Sequence, residues 1–209
     1  MIPLDAVPVL PLPGVVLLPD QRMPLHIFEP RYRAMVRDAL ETDGWMVVCP
    51  VIGDPEAEVP PFVGVATAGR IVAHQRLPDG RFNILVEGVL RVRLTEIDFV
   101  APYRRAAATV IAEPEDREVA SVERTAMLST LASVMRVVRA MRPQFEFAVP
   151  TELSSSRLAL RLVDRFVTDP EMRQRVLEAE RGIDRVMLTT AALADLWTAG
   201  ETLRAIGSA

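Results

Sequence analysis

The chain contains no lysine: all 24 of its basic residues are arginine. That absence removes several chemistries at once. A P-loop needs lysine on the nucleotide phosphates, a Ser-Lys peptidase needs it as base, and a pyridoxal enzyme needs it for its Schiff base. The absence serves as an exclusion and nothing more. Cys49 is the one cysteine, so no internal disulfide can form. No histidine or cluster of charge flanks it, and it reads as a small buried hydrophobe rather than a reactive thiol. Histidine is limited to His26 and His74, too few beside one cysteine for the three or four ligands of a zinc site. Serine first occurs at Ser121 and no G-x-S-x-G is present, which leaves a Ser-His-Asp triad few candidates. No apolar run reaches the roughly 18 to 20 residues of a membrane span. The first ten residues lack a basic segment and are interrupted by Pro3 and Pro8, unlike a signal peptide. The expectation is a cytoplasmic protein without metal or cofactor.

What is present describes an ordinary globular chain. Its 209 residues are 50% hydrophobic and 25% charged with a net charge of −4, enough for one large or two small domains with real cores. Neither the low hydrophobicity nor the high net charge of disorder is present. The first 113 residues hold 14 acids against 11 arginines, and the remainder 14 against 13, so neither half advertises nucleic acid.

Two periodicities divide the chain. Residues 7–18 are short apolar pieces punctuated by Pro8, Pro11, Pro13 and Gly14, the pattern of edge or irregular strands. The continuous apolar run 45–52 predicts a strand covered on both faces. Residues 70–77 and 81–86 flank Pro78-Asp79-Gly80, a hairpin signal. Leu90, Val92 and Leu94 then alternate with polar residues as in a half-buried strand, and 103–111 reads as the last strand. Between them Pro30 opens a helix that carries Met35, Val36, Ala39 and Leu40 and stops at Gly44. Past residue 113 the period becomes helical. Met127, Leu131, Val134, Val138 and Met141 form a 4-3-4-3 seam ended by Pro143. A second helix follows Pro150, with Leu153, Leu160, Val163 and Val167 inward, and Ser154-Ser155-Ser156 is its start region. A third begins at Pro170 with Thr168 and Glu171 as capping box. A fourth follows Gly182, weakened at Gly200. The expected class is α+β: a β-rich domain with one helix at 1–113, then a helical bundle at 114–209.

Two motifs stand out within this pattern. Pro11-Leu-Pro-Gly-Val-Val-Leu-Leu-Pro19 leads into Met23-Pro-Leu-His-Ile-Phe-Glu-Pro-Arg-Tyr-Arg33. Asn83-Ile-Leu-Val-Glu-Gly-Val-Leu-Arg91 follows. Together with Gln174, Leu177, Glu178 and Arg185 in the stretch 171–195, they resemble the substrate-recognition domain at the N-terminus of Lon proteases, in the form of its stand-alone bacterial members. The resemblance runs from about residue 4 to 196. It implies a PUA-like β-domain followed by a helical bundle, and recognition of polypeptides without catalysis. In Lon proteases an ATPase and a Ser-Lys peptidase follow such a domain; this chain ends at Ala209 and has no lysine for either. The implied partners are therefore polypeptides and a separate ATP-dependent protease or chaperone, with no nucleic acid and no membrane.

Candidate peptide-contact residues are Met23, Phe28, Arg31, Tyr32 and Phe62, apolar or carboxylate-binding groups of the first half. Met23 or Met35, if exposed, would suit irregular partners. Pro24, His26, Glu29, Pro30, Glu87, Gly88 and Arg91 read as structural. His26 and Glu29 form an H-x-x-E too sparse for a metal, with Glu29 beside a helix start. Glu87 and Arg91 are an expected ion pair, and Gly88 a bulge or close backbone approach. Arg33 and Arg37 read as solvated or paired. The runner-up is an RNA-binding module on Arg70, Arg76, Arg81, Arg91, Arg93, Arg104 and Arg105, which requires those arginines to share an exposed face.

Overall fold

A turn at Pro78-Asp79-Gly80 organises the longest hairpin. Gly80 has φ +81°, the left-handed region that side chains disfavour. Asp79 Oδ1 accepts the Arg81 amide at 3.1 Å, and the Leu77 and Gly80 amides bond to the Arg81 and Leu77 carbonyls. The turn joins β4 (Val65–Arg76) to β5 (Phe82–Glu96). In the computed structural model, residues 5–52, 61–100, 102–116 and 119–207 are described, without the side chains of 203–207. The chain forms two compact units, Met1–Ala112 and Glu113–Ala209.

The first unit adds β1 (Val7–Leu12), β2 (Arg22–Ile27), α1 (Pro30–Leu40), β3 (Trp45–Pro50) and β6 (Arg105–Val110). Strand order is β2-β5-β4-β3-β1-β6, and β6 also pairs with β5. Five strands therefore close into a ring, and β2 adds to it along residues 82–87 of β5. Closure removes the exposed edges that an open sheet of these five strands would leave, and β2, paired only with β5, is an edge strand.

Alternation along the strands builds two cores. Val7 and Val9, Val47 and Cys49, Ala66 and Ala68, Val92 and Leu94, and Ala106 and Ala108 contribute two residues per ring strand to one cluster. Their neighbours Leu10, Met46, Val48, Ile84 and Val86 pack with Tyr32, Met35 and Val36 of α1 in a second. The strand from Trp45 is thus buried on both faces, as its unbroken apolar run requires. The reading of 7–18 as edge or irregular strand is corrected: β1 lies between β3 and β6. Pro11 is tolerated because the β6 register does not reach it, and Pro8 because it precedes the β3 register, which begins at Val9.

Residues 13–21, the core of the first motif, cross the sheet as a loop. Leu17 and Leu18 are fully buried, and Thr67 Oγ1 donates to the Leu17 carbonyl at 2.7 Å. Gly88 exchanges backbone bonds with Asp20 and Gln21, and a Cβ there would collide with the Leu18 carbonyl. The expected close approach at Gly88 is present.

The second unit holds α2 (Ser121–Met141), α3 (Ser155–Phe166), α4 (Pro170–Glu178) and α5 (Gly182–Gly207). Met127, Leu131 and Val134 of the seam are buried with Leu158, Leu162, Val186 and Leu193, while Met141 at its end is exposed. Ser154 caps α3 by accepting the Arg157 amide. The capping box at Thr168 is corrected: Asp169 is the N-cap of α4, its carboxylate accepting the Glu171 and Met172 amides, because a carboxylate one residue nearer reaches both. Gly200 does not interrupt α5. A Cβ there would meet Val137 Cγ1 at 2.5 Å, so the glycine serves the close approach of α2. Among the described residues no helix is long and apolar enough to cross a membrane.

Candidate functional site

Helix α1 borders a groove in the first unit. Pro30 stands at its first turn, and Tyr32, Met35, Val36 and Ala39 are its buried residues. Beside that stripe two hollows meet at Tyr103. The larger, about 310 Å³, is lined by Pro8, Asp38, Thr42, Asp43, Trp45, Tyr103 and Arg105. The other, only about 10 Å³, is lined by Pro11, Arg31, Tyr32, Phe99, Pro102, Tyr103 and Arg104. The prolines of β1 contribute to the lining of both, and Tyr103 is common to the two.

The charges around Tyr103 are arranged in pairs. Its hydroxyl donates to Asp38 Oδ2 at 2.7 Å and accepts from Arg105 Nη2 at 2.6 Å. The Arg105 guanidinium also lies 5.0 Å from the centre of its ring. Burial pushes the phenol above its ordinary value, helped by the bond to Asp38. Arg31 lies 4.6 Å over the Tyr32 ring and pairs with Glu29 at 2.9 Å. Arg104 lies 4.5 Å over Phe62 and pairs with Glu96 at 2.7 Å. Aromatic walls with flanking charges of both signs offer dispersion contact and hydrogen bonds to an extended chain, without a nucleophile poised beside a base.

The candidate contact residues divide. Arg31 and Tyr32 line the narrow hollow, although Tyr32 is mostly in the core at 6% exposure. Phe62 is buried in the ring cluster and reaches the groove only through Arg104. Met23 packs against the helix-side core from β2. Phe28 is 60% exposed and stacks on His26 with ring centres 6.3 Å apart; neither Met23 nor Phe28 lines the groove. Met35 is fully buried against the sheet, so it does not meet the condition of exposure.

The remaining motif residues lie on or beside β2, α1 and β5. Pro24 sits inside β2, where an edge strand tolerates a missing N–H. His26 Nε2 lies 3.2 Å from Arg81 Nη1, and its Nδ1 2.7 Å from Asn83 Oδ1. A guanidinium only donates, so Nε2 accepts and Nδ1–H donates to Asn83. Both nitrogens are thereby engaged, and among the described residues no group of three or more His, Cys, Asp or Glu is placed to hold a metal. Glu29 is the N-cap of α1, but its side chain makes no capping bond and takes Arg31 instead.

The expected Glu87–Arg91 pair is corrected. Glu87 pairs with Arg22 at 3.0 Å, and Arg91 Nη2 donates to the Ala112 carbonyl at 2.8 Å. A register shift between the two residues turns them to opposite faces. The shared arginine face is corrected as well: Arg91 and Arg104 are 1% and 9% exposed, held inward by the carbonyl and by Phe62. Sequence reasoning missed Asp38, Trp45, Tyr103 and Arg105 as groove residues. Tyr103 carried a signal, an aromatic at the head of the last strand, but its partner Asp38 lies 65 residues away.

Comparison with known proteins places this architecture. Residues 6–195 match the family described as the ATP-dependent protease La (LON) substrate-binding domain. The chain is 28% identical over 195 residues to a Lon protease of Desulfovibrio desulfuricans, covering 90% of this chain and 22% of that protein. It is 33% identical over 121 residues to Lon protease 1 of Thermus thermophilus, covering 55% of this chain and 15% of that one. The chain thus spans about a fifth of the length of the curated relatives it matches. Among solved structures, a Lon N-terminal domain protein from Xanthomonas campestris superposes with a TM-score of 0.66 at 19% identity, covering 90% of this chain and 98% of that one. The N-terminal domain of the Mycobacterium avium complex Lon protease gives 0.67 at 18% identity, covering 91% and 99%.

Proposed function

The chain belongs to the Lon substrate-binding domain family, and from that premise we propose that it captures polypeptides in the groove beside α1 and catalyses no reaction. The observation that carries this reading is the hollow of about 310 Å³ beside α1, with Trp45 in its lining and the exposed Phe99 lining the small hollow on the other side of Tyr103. Aromatic anchors of this kind supply much of the affinity at protein interfaces. The alternation of aromatic, proline and charged lining suits unfolded segments of varied sequence. Captured chains are passed to a separate ATP-dependent protease or chaperone in the cytoplasm. Nucleic acid is disfavoured: the first 113 residues are net acidic, and Arg91 and Arg104 are committed inside the unit.

The test is fluorescence anisotropy with a labelled, reduced and carboxymethylated protein that cannot fold. Binding is expected for that probe and not for its native form. Phe99→Asp, at a residue 39% exposed, should weaken binding about tenfold or more. Unchanged affinity in that variant moves the site away from the groove, and no binding to the unfolded probe removes the reading. A crosslinking pull-down, with and without nuclease, separates the partners: an ATP-dependent protease enriched equally in both supports delivery. Enrichment that disappears with nuclease puts RNA first.

A further inference from the structure

The helical unit carries an apolar hollow of its own. Its volume is about 230 Å³, and its lining includes Val167, Met172, Ala192 and Leu196. That is below the roughly 300–1,000 Å³ of small-molecule sites and of the order of one or two side chains. Leu196 and its neighbour Trp197 are 37% and 39% exposed, so apolar surface continues beyond the hollow along α5.

The charges at this hollow have one sign. Only Asp169 and Asp195 among its lining residues are charged. Asp169 is occupied as the cap of α4, accepting the Glu171 and Met172 amides at 3.2 and 3.1 Å. Asp195 is exposed and makes no ion pair or hydrogen bond among the described residues. The residues three and four positions away on its helix face are Ala191, Ala192, Thr198 and Ala199, so no arginine on that face can satisfy it. Arg173, the cation next to Met172, is turned to the Val163 and Val167 carbonyls and to Asp164.

We propose that this hollow is a second polypeptide contact, taking a bulky apolar side chain whose neighbour in the bound segment is lysine or arginine. The apolar floor supplies contact area, and the uncompensated Asp195 at the lining selects the basic neighbour by charge complementarity. The inference rests on the polypeptide-binding reading and extends it to the helices. Two weak contacts on one client raise the overall affinity through effective concentration.

The experiment is an amide nitrogen–proton NMR titration of the full chain. The probes are two blocked peptides, Ser-Gly-Arg-Phe-Lys-Gly-Ser and Ser-Gly-Glu-Phe-Glu-Gly-Ser. The basic peptide is expected to shift the amides of Met172, Ala192 and Leu196, and the acidic one to bind there at least tenfold more weakly. Asp195→Lys, at an exposed side chain, should weaken the basic peptide about tenfold at those amides and reverse the preference. Shifts confined to groove amides near Thr42 and Tyr103 overturn this inference and leave the groove reading standing. Shifts at the helical amides alone keep it and count against the groove. Equal binding of both peptides, or none at the helical amides, overturns it.

Discussion

Glu87 and Arg91 lie four residues apart on β5 yet face opposite sides of the sheet. Their cross-strand partners on β4, Arg70 and Thr67, are only three residues apart. One extra residue on β5 therefore reverses the phase of every side chain beyond it. Before the bulge Glu87 meets Arg22; after it Arg91 is 1% exposed and bonded to the Ala112 carbonyl. The same β5 can then pair with β2 at one end and β6 at the other, which is what closes the ring.

The glycine at this bulge should be intolerant. A Cβ at Gly88 meets the Leu18 carbonyl, whereas one at Gly64 meets nothing within 4 Å. Gly88→Ala is expected to lower stability by about 1–3 kcal/mol, as overpacking does. Gly64→Ala should stay within about 0.5 kcal/mol of the parent. Urea denaturation of the two variants checks the contrast; a Gly88→Ala as stable as Gly64→Ala would show that the loop moves freely.

In the helical unit, Arg185 is fully buried and pairs with Glu113 at 2.7 Å, its Nη1 also donating to Ser156 Oγ at 3.0 Å. Glu113→Ala leaves that buried charge without its carboxylate. The expected cost is about 1–3 kcal/mol, below the full loss of a buried pair, because Glu113 itself is 42% exposed. Arg185→Met, which removes the charge and keeps volume, should cost less than Glu113→Ala. Thermal melts order the two, and the reverse order would count against a desolvated charge as the cause.

Cys49 should be inert until the first unit opens. It is fully buried, and burial pushes its thiol up to about 12 from an ordinary 9.0. The thiolate is the reactive form, so an Ellman's-type reagent at pH 8 should label nothing in the native protein and one thiol in denaturant. Rapid labelling of the native chain would contradict this burial.

Alkaline pH should destabilise the first unit. Cys49 and Tyr103 both have folded-state values raised above 9.0 and 10.0. As pH rises past those ordinary values the unfolded chain loses protons first, so the folded state binds more of them and stability falls. The loss should begin near pH 9 and continue until the folded groups ionise. Tyr103→Phe is expected to flatten the part above pH 10, measured as denaturation midpoint against pH.

Local signals were legible wherever the physics is local. The turn at Asp79-Gly80, Pro30 at the start of α1, Ser154 at the start of α3 and the buried positions of α2 depend on neighbours within a few residues. The misreadings share the opposite property. Pro8 and Pro11 argued for an edge, but β1 lies between β3 and β6, its prolines falling where one of the two registers is absent. Thr168 and Asp169 are both good caps, and only the observed entry into α4 selects the second. Of the contact candidates, Arg31 and Tyr32 reached the groove because α1 carries them together, whereas Phe62 belongs to another core.

The amino-acid sequence by itself determined the two periodicities, the family motifs and the exclusion of lysine-dependent chemistry, since these depend only on which residues occur and at what spacing. Tertiary structure decided the rest. Strand order closed the ring, and one bulge in β5 chose which side each residue beyond it faces. The groove exists because Tyr103 meets Asp38 across 65 residues, a contact whose partners are set by sheet topology and not by local preference.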